Sequence, residues 1–235
     1  MTDSEDKNRV GARHWLRLIA VYLLIPLVLF LCAGDLAWWQ GWLVGLAIFA
    51  SGIGARLWAE YRHPGLTAAR QDPDAMRNAK AWDKVLAPLM GVTMGFPMLI
   101  VAGLDHRYGW SADLPFPLVI TGLALVYTGY GFAAWAFAEN RFFLSVTREQ
   151  LDAEHALCDS GPYRLVRHPG YAGNVLAQYG IVLALASPWV LIPATAALVV
   201  SVLRIKFEDS ALQGELTGYA EYAGRVRYRL IPGLY

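Results

Sequence analysis

Residues 161–171, GPYRLVRHPGY, place Arg164, Arg167 and His168 within five positions, followed by Pro169, Gly170, Tyr171 and a long apolar run. Gly161 and Pro162 read as a turn, and Pro169 lets a helix start near Gly170. The first turn of such a helix offers free backbone N–H groups and a positive dipole end, which suits a carboxylate. Tyr163 adds a ring and a hydroxyl. On pattern alone, Arg164, Arg167 and His168 also read as interfacial anchors to anionic headgroups. A second polar stretch, RIKFEDSAL at 204–212, begins where another apolar run ends. Arg204 and Glu208 are four apart on one helical face, where an ion pair contributes a few tenths of a kcal/mol. A charge at the exit of an apolar helix is costly unless paired or snorkelling, which also makes Arg204 a functional candidate.

Holding these stretches in place falls to apolar helices. Of 235 residues, 56% are hydrophobic and 17% charged, too apolar for an ordinary soluble domain. Runs at about 15–33, 36–58, 84–104 and 116–137 each approach the roughly 20 residues that cross hydrocarbon. The run 172–203 is too long for one span, and SPW at 187–189 breaks it, so it reads as a two-helix hairpin. With the N-terminus inside, 19 of the 20 Lys and Arg residues fall on the cytoplasmic side, leaving Arg107 opposite. In that count Arg56 belongs to the 56–84 loop. The expectation is an all-α integral membrane protein of about six transmembrane helices, ending in a helical hairpin, with both termini cytoplasmic. It forms one domain, 1–235, in which 1–138 is transmembrane scaffold and 139–235 is the functional region. A tight turn near Pro188 would bring residue 204 to the depth of residue 171, so the two polar stretches should meet.

Other classes recede. A formal net charge of +1 gives no hint of nucleic-acid binding. Cys32 and Cys158 are placed where a disulfide does not form, and neither they nor any paired His spacing suggests a metal. The opening residues read as an anchor more than a removable signal. GWLVG at 41–45 and GVTMG at 91–95 read as helix-packing seams.

HALCDSGPYRLVRHPGYAGN (155–174) resembles the His-x-leu-val, Gly-Pro-Tyr and Arg-His-Pro-x-Tyr blocks of the isoprenylcysteine carboxyl methyltransferase family and its bacterial integral-membrane relatives. RIKFEDSAL is similar to that family's Arg-x-x-x-Glu-Glu-x-x-Leu, and HPGLTAAR (63–70) and AWDKV (81–85) look like its bacterial branch. The resemblance implies S-adenosyl-L-methionine as cofactor. It implies that His155, Ala156, Leu157 and Cys158 line the adenosyl moiety, that Tyr163, His168, Pro169, Gly170 and Tyr171 hold the rest, and that Glu208 reaches it from the other segment. It implies a substrate-side, catalytic role for Arg204 beside Glu208, a lipophilic substrate drawn from the bilayer, and a bacterial inner-membrane location. Three features depart from the family: Arg148 stands where eukaryotic members have Gln, Asp209 replaces the second Glu, and LTGYAEY is one residue short of the usual spacing. The ending RVRYRLIPGLY also resembles membrane sterol reductases, which bind a nicotinamide cofactor.

For methyl transfer, the chain's main work is to align nucleophile, methyl and sulfur in a water-poor site. A carboxylate acceptor, slightly favoured over an amino-lipid, would need only orientation by Arg204. An amine or thiol would need Glu208 or His168 as base. An NADPH-dependent reductase and a non-enzymatic lipid-binding protein are the alternatives.

Overall fold

The computed structural model describes residues 12–67, 74–142, 147 and 156–235. The described chain is all-helical. In order it runs α1 (Ala12–Ala33), α2 (Trp39–Arg62), α3 (Asp83–Met94), α4 (Phe96–Tyr108), α5 (Phe116–Glu139), α6 (Pro169–Ala184), α7 (Leu191–Glu215) and α8 (Tyr219–Arg225), with 3₁₀ turns at Gly161–Arg164 and Pro188–Val190. Among the described residues, five stretches are long and apolar enough to cross a membrane: Trp15–Ala33, Trp39–Arg62, Asp83–Tyr108, Phe116–Glu139 and Pro188–Glu215. Side chains such as Leu46, Val92 and Ile192 stay more than half exposed on their outward faces, as expected for surfaces that meet lipid rather than water.

The 172–203 run folds as the expected hairpin. Its first arm, α6, has 16 residues, about 24 Å at 1.5 Å per residue and shorter than the roughly 30 Å of hydrocarbon. It tolerates that length because it is walled in, with Gly173, Ala177, Gln178, Gly180, Ile181 and Ala184 all buried. Glycines make the wall possible. A Cβ on Gly122 of α5 would fall 2.3 Å from Ala184 N, and one on Gly173 of α6 would fall 2.4 Å from Gly129 O, so α5 and α6 touch backbone to backbone in antiparallel fashion. The GWLVG seam is real, since a Cβ on Gly45 would lie 3.0 Å from Pro26 of α1. GVTMG is not a seam. Nothing lies within 4 Å of a Cβ on Gly91, and Gly95, at φ −105° and ψ −109°, ends α3 with Pro97 following, so the third crossing is two helices in series.

Side-chain contacts sort the loops to two ends. At one end His106 lies 3.0 Å from Asp35 and stacks on Trp38, and Trp110 meets Trp189. Arg107 is here too, beside Gly34. At the other, Arg62 pairs with Glu139 and Lys80 with Glu215. This second end carries the 156–171 stretch and the end of α7.

Candidate functional site

Pro169 starts α6 with His168 as its cap residue, where a missing N–H costs nothing and a fixed φ helps. α7 returns from the hairpin turn to bring Arg204 and Glu208 beside that start. The Tyr171 hydroxyl donates to Glu208 Oε2 at 2.8 Å, and the Arg204 guanidinium lies 5.8 Å from the Tyr171 ring centroid. The expected meeting of the two stretches therefore occurs.

Arg204 makes a pairing the sequence did not suggest. Its Nε and Nη2 donate to the two oxygens of Asp83 at 2.6 and 3.0 Å, with Asp83 fully buried and Arg204 5% exposed. Asp83 Oδ2 also accepts from the backbone N–H of Thr147. Around it, Lys80 pairs with Glu215 at 2.5 Å, Lys80 N donates to Thr147 O, and Trp82 stacks on Phe207 at 5.5 Å. A third segment, 79–83, is thus fixed to α7. Of the i, i+4 partners, Arg204 takes Asp83 across the fold with both arms of its fork, and Glu208 takes the Tyr171 hydroxyl. No local signal marked Asp83 as the partner of Arg204, since Lys80 three positions before it and Lys84 beside it both read as nearer partners.

The other missed centre is Asp209. Arg167 grips it with Nε and Nη2 at 2.8 and 3.1 Å, and the Tyr219 hydroxyl, Arg229 Nε and Gln213 Nε2 donate to it at 2.8, 2.9 and 3.0 Å. Arg167 Nη1 also caps the carbonyls of Val226 and Arg227, both at 2.8 Å, while Arg167 N and His168 N donate to Tyr228 O and Arg229 O. Arg167 is consequently a buried fastener of the C-terminal tail, not a headgroup anchor; Arg164 stays exposed. Burial opposes the charge on Arg229, and the hydrogen bond to Asp209, the charge of that carboxylate and the nearby Tyr235 and Tyr219 together outweigh it and raise its pKa.

Of the proposed cofactor residues, Tyr163, His168, Pro169 and Gly170 are buried, Leu157, Cys158, Tyr171 and Glu208 half-buried, and Ala156 exposed. Leu157, Cys158 and Tyr163 pack in one apolar cluster with Leu216, Tyr219 and Tyr222. The Tyr222 hydroxyl donates to Tyr163 O at 2.7 Å, and the Tyr163 hydroxyl to Ala136 O at 3.3 Å. Burial raises the pKa of Tyr163, Tyr219 and Tyr222 above the usual phenol range, so each is a neutral donor. Burial likewise raises the Cys158 thiol. His155 and Arg148 lie outside the described residues. Among the described residues, no three His, Cys, Asp or Glu side chains gather as metal ligands.

Residues 118–216 match the family model described as phospholipid methyltransferase. This region is similar to the membrane methyltransferase group. The matched family belongs to the isoprenylcysteine carboxyl methyltransferase type, in accord with the resemblance carried by 155–174 and 204–212. The match takes in all but the first two residues of α5, the 156–168 loop, the hairpin and all of α7, and Asp83 and the 219–235 tail fall outside it. A search of curated proteins finds no match to this chain.

Proposed function

We propose that the protein transfers a methyl group from S-adenosyl-L-methionine to a lipophilic acceptor at the end of the bundle that holds Tyr171 and Glu208. The observation that carries this reading is the contact of Tyr171 with Glu208, which joins the two motif blocks of the matched region. The side chains there fit such a cofactor. His168 Nε2 is buried without a hydrogen-bond partner, 3.5 Å from Asp209 Oδ1. The N–H groups of Gly170 and Tyr171 lie in the first turn of α6, where no intrahelical acceptor exists. Leu157, Cys158 and Tyr163 supply an apolar wall for adenine, and Glu208 an acceptor for an amine or ribose. When bound, the cofactor supplies an electrophilic methyl on a sulfonium.

The acceptor we favour is an amino-lipid headgroup rather than the carboxylate to which the sequence leaned. Arg204 already grips a carboxylate, Asp83, with two of its nitrogens, which weakens its case as a clamp for another. An amine must lose a proton to become nucleophilic, and Glu208, with Oε2 held by Tyr171, would take it on Oε1. Oriented by the Arg204 and Tyr171 pair, Glu208 would both hold and deprotonate.

Calorimetry of the detergent-solubilised protein with S-adenosylhomocysteine tests the reading, and binding is expected. No heat at high micromolar ligand, or a preference for NADPH, would replace it with the reductase alternative. Binding of neither would favour a non-enzymatic lipid-binding protein. Incubation of lipid extracts with labelled methyl donor then identifies the acceptor, with label expected in amine-headed lipid.

A further inference from the structure

We propose that Arg56 on α2 is an anion-binding site within the membrane span, built for the phosphate or carboxylate headgroup of a chain-bearing amphiphile. This inference stands apart from the methyl-transfer reading. The charge pattern counted Arg56 with the loop cations, because it lies near the end of an apolar run. The structure places it inside α2, which continues to Arg62.

Its side chain does not reach toward that nearer end. Nη1 donates to Gly52 O at 2.8 Å and to the Tyr22 hydroxyl of α1 at 2.6 Å, so the guanidinium is drawn one turn back toward the middle of the helix. Gly52 to Arg62 is ten residues, about 15 Å along the axis and half of a roughly 30 Å hydrocarbon layer. A cation at that depth is costly unless compensated.

At three other arginines the compensation is a carboxylate. Arg167 has Asp209, Arg204 has Asp83, and Arg62 has Glu139. Among the described residues no carboxylate lies within ion-pair distance of Arg56. Of its five N–H donors, those on Nη1 are used, and Nε is sealed without an acceptor. Tyr22 is held to this position by design of the helix contact: a Cβ on Gly52 would fall 2.0 Å from its ring, which sits 5.2 Å from the guanidinium carbon. The guanidinium is thereby fixed by Nη1, with Nη2 left to take a negative group.

The depth and surroundings name the source. Leu23, Leu27 and Leu57, on the flanking turns of α1 and α2, are exposed apolar side chains, so an anion arriving laterally is carried by an apolar chain. Free phosphate would have to shed its water and cross hydrocarbon to arrive.

Native mass spectrometry of the full chain, purified in detergent and stripped of lipid, tests this with phosphatidic acid, with diacylglycerol of the same chains, and with inorganic phosphate. Wild type is expected to hold one more phosphatidic acid than Arg56→Gln, or to bind it about tenfold more tightly, as loss of charge-assisted bonds implies. Diacylglycerol should not distinguish the two proteins, and inorganic phosphate should not bind at Arg56. Arg56→Lys, which keeps the charge and loses the planar fork, should bind with intermediate affinity and serves as the decisive variant if Arg56→Gln does not fold. Equal phosphatidic acid binding by wild type and the variant overturns the site. An Arg56-dependent adduct with inorganic phosphate overturns the lipid-borne source.

Discussion

Two buried carboxylates sit at the site end of the bundle, and they are satisfied in different ways. Asp209 collects donors from Arg167, Gln213, Tyr219 and Arg229, all from the last third of the chain and all protein. Its acceptor capacity is filled by protein donors, with His168 Nε2 a further 3.5 Å away. Asp83 joins α3 to α7 through Arg204, and Arg204 in turn adjoins Tyr171 and Glu208. The first network folds the tail over the 161–168 loop. The second lies beside groups that retain bonding capacity, which is where binding and chemistry belong. Stability and ligand binding should therefore separate between the two, and substitutions can test whether they do.

The largest effect is expected at Asp209. Asp209→Asn leaves the Arg167 guanidinium buried without a counter-charge, a change of about 3–5 kcal/mol. Chemical unfolding in detergent should show that loss, and S-adenosylhomocysteine binding should fail with it, because the loop and tail come apart together. A variant with wild-type stability would show that Asp209 is not the fastener described here.

Asp83→Asn should cost less, about 2–3 kcal/mol, because Arg204 keeps the Tyr171 ring and has Glu208 one turn away. Cofactor affinity should fall only slightly. A loss as large as that of Asp209→Asn would erase the distinction between the networks.

How far the sequence revealed this arrangement follows from the range of each signal. The hairpin was legible because Ser187 and Pro188 interrupt an otherwise continuous apolar run, and the start of α6 because Pro169 marks it locally. From these two the meeting of Tyr171 with Glu208 followed by geometry. The Asp83–Arg204 pair was not legible, since 121 positions separate the partners and the i, i+4 spacing offered Glu208 as a nearer one. Asp209 registered only as a departure from a Glu pattern. Its role emerges when residues 219 and 229 fold back, which no helical periodicity encodes. Arg56 was misplaced for a related reason: hydropathy marks where an apolar run ends, whereas the hydrogen bonds to Gly52 and Tyr22 decide which way a side chain at that edge points. The break at Gly95 was hidden inside a run whose composition never changes.

Glu208→Gln probes the second network from its ligand side. The amide preserves size and can still accept from Tyr171, so unfolding should shift by less than about 1 kcal/mol. S-adenosylhomocysteine affinity should drop on the order of tenfold as a charge-assisted bond is lost. Calorimetry beside an unfolding curve gives both numbers. If stability falls while affinity holds, Glu208 belongs with the structural carboxylates.

The smallest effect concerns Cys158, which lies between the networks in the cluster of Leu157, Tyr163, Tyr219 and Tyr222. It is a free thiol, and burial, with the nearby negative charges of Glu139 and Asp159, raises its pKa against the opposing hydrogen bonds of Ser160. Only the thiolate reacts with alkylating reagents. In a Cys32→Ser background, the alkylation rate should therefore be low at neutral pH and reach half its maximum above the ordinary thiol value of about 8.5. A midpoint at or below that value would place Cys158 in a wetter or more positive setting than the cluster provides. Ligand adds the sharper comparison. If Leu157, Cys158 and Tyr163 wall the adenine, saturating S-adenosylhomocysteine should slow alkylation several-fold at every pH without moving the midpoint far, since it blocks access rather than changing charge. An unprotected thiol in a protein that binds the ligand would assign Cys158 to the tail cluster alone, and the adenine wall would then rest on Leu157 and Tyr163.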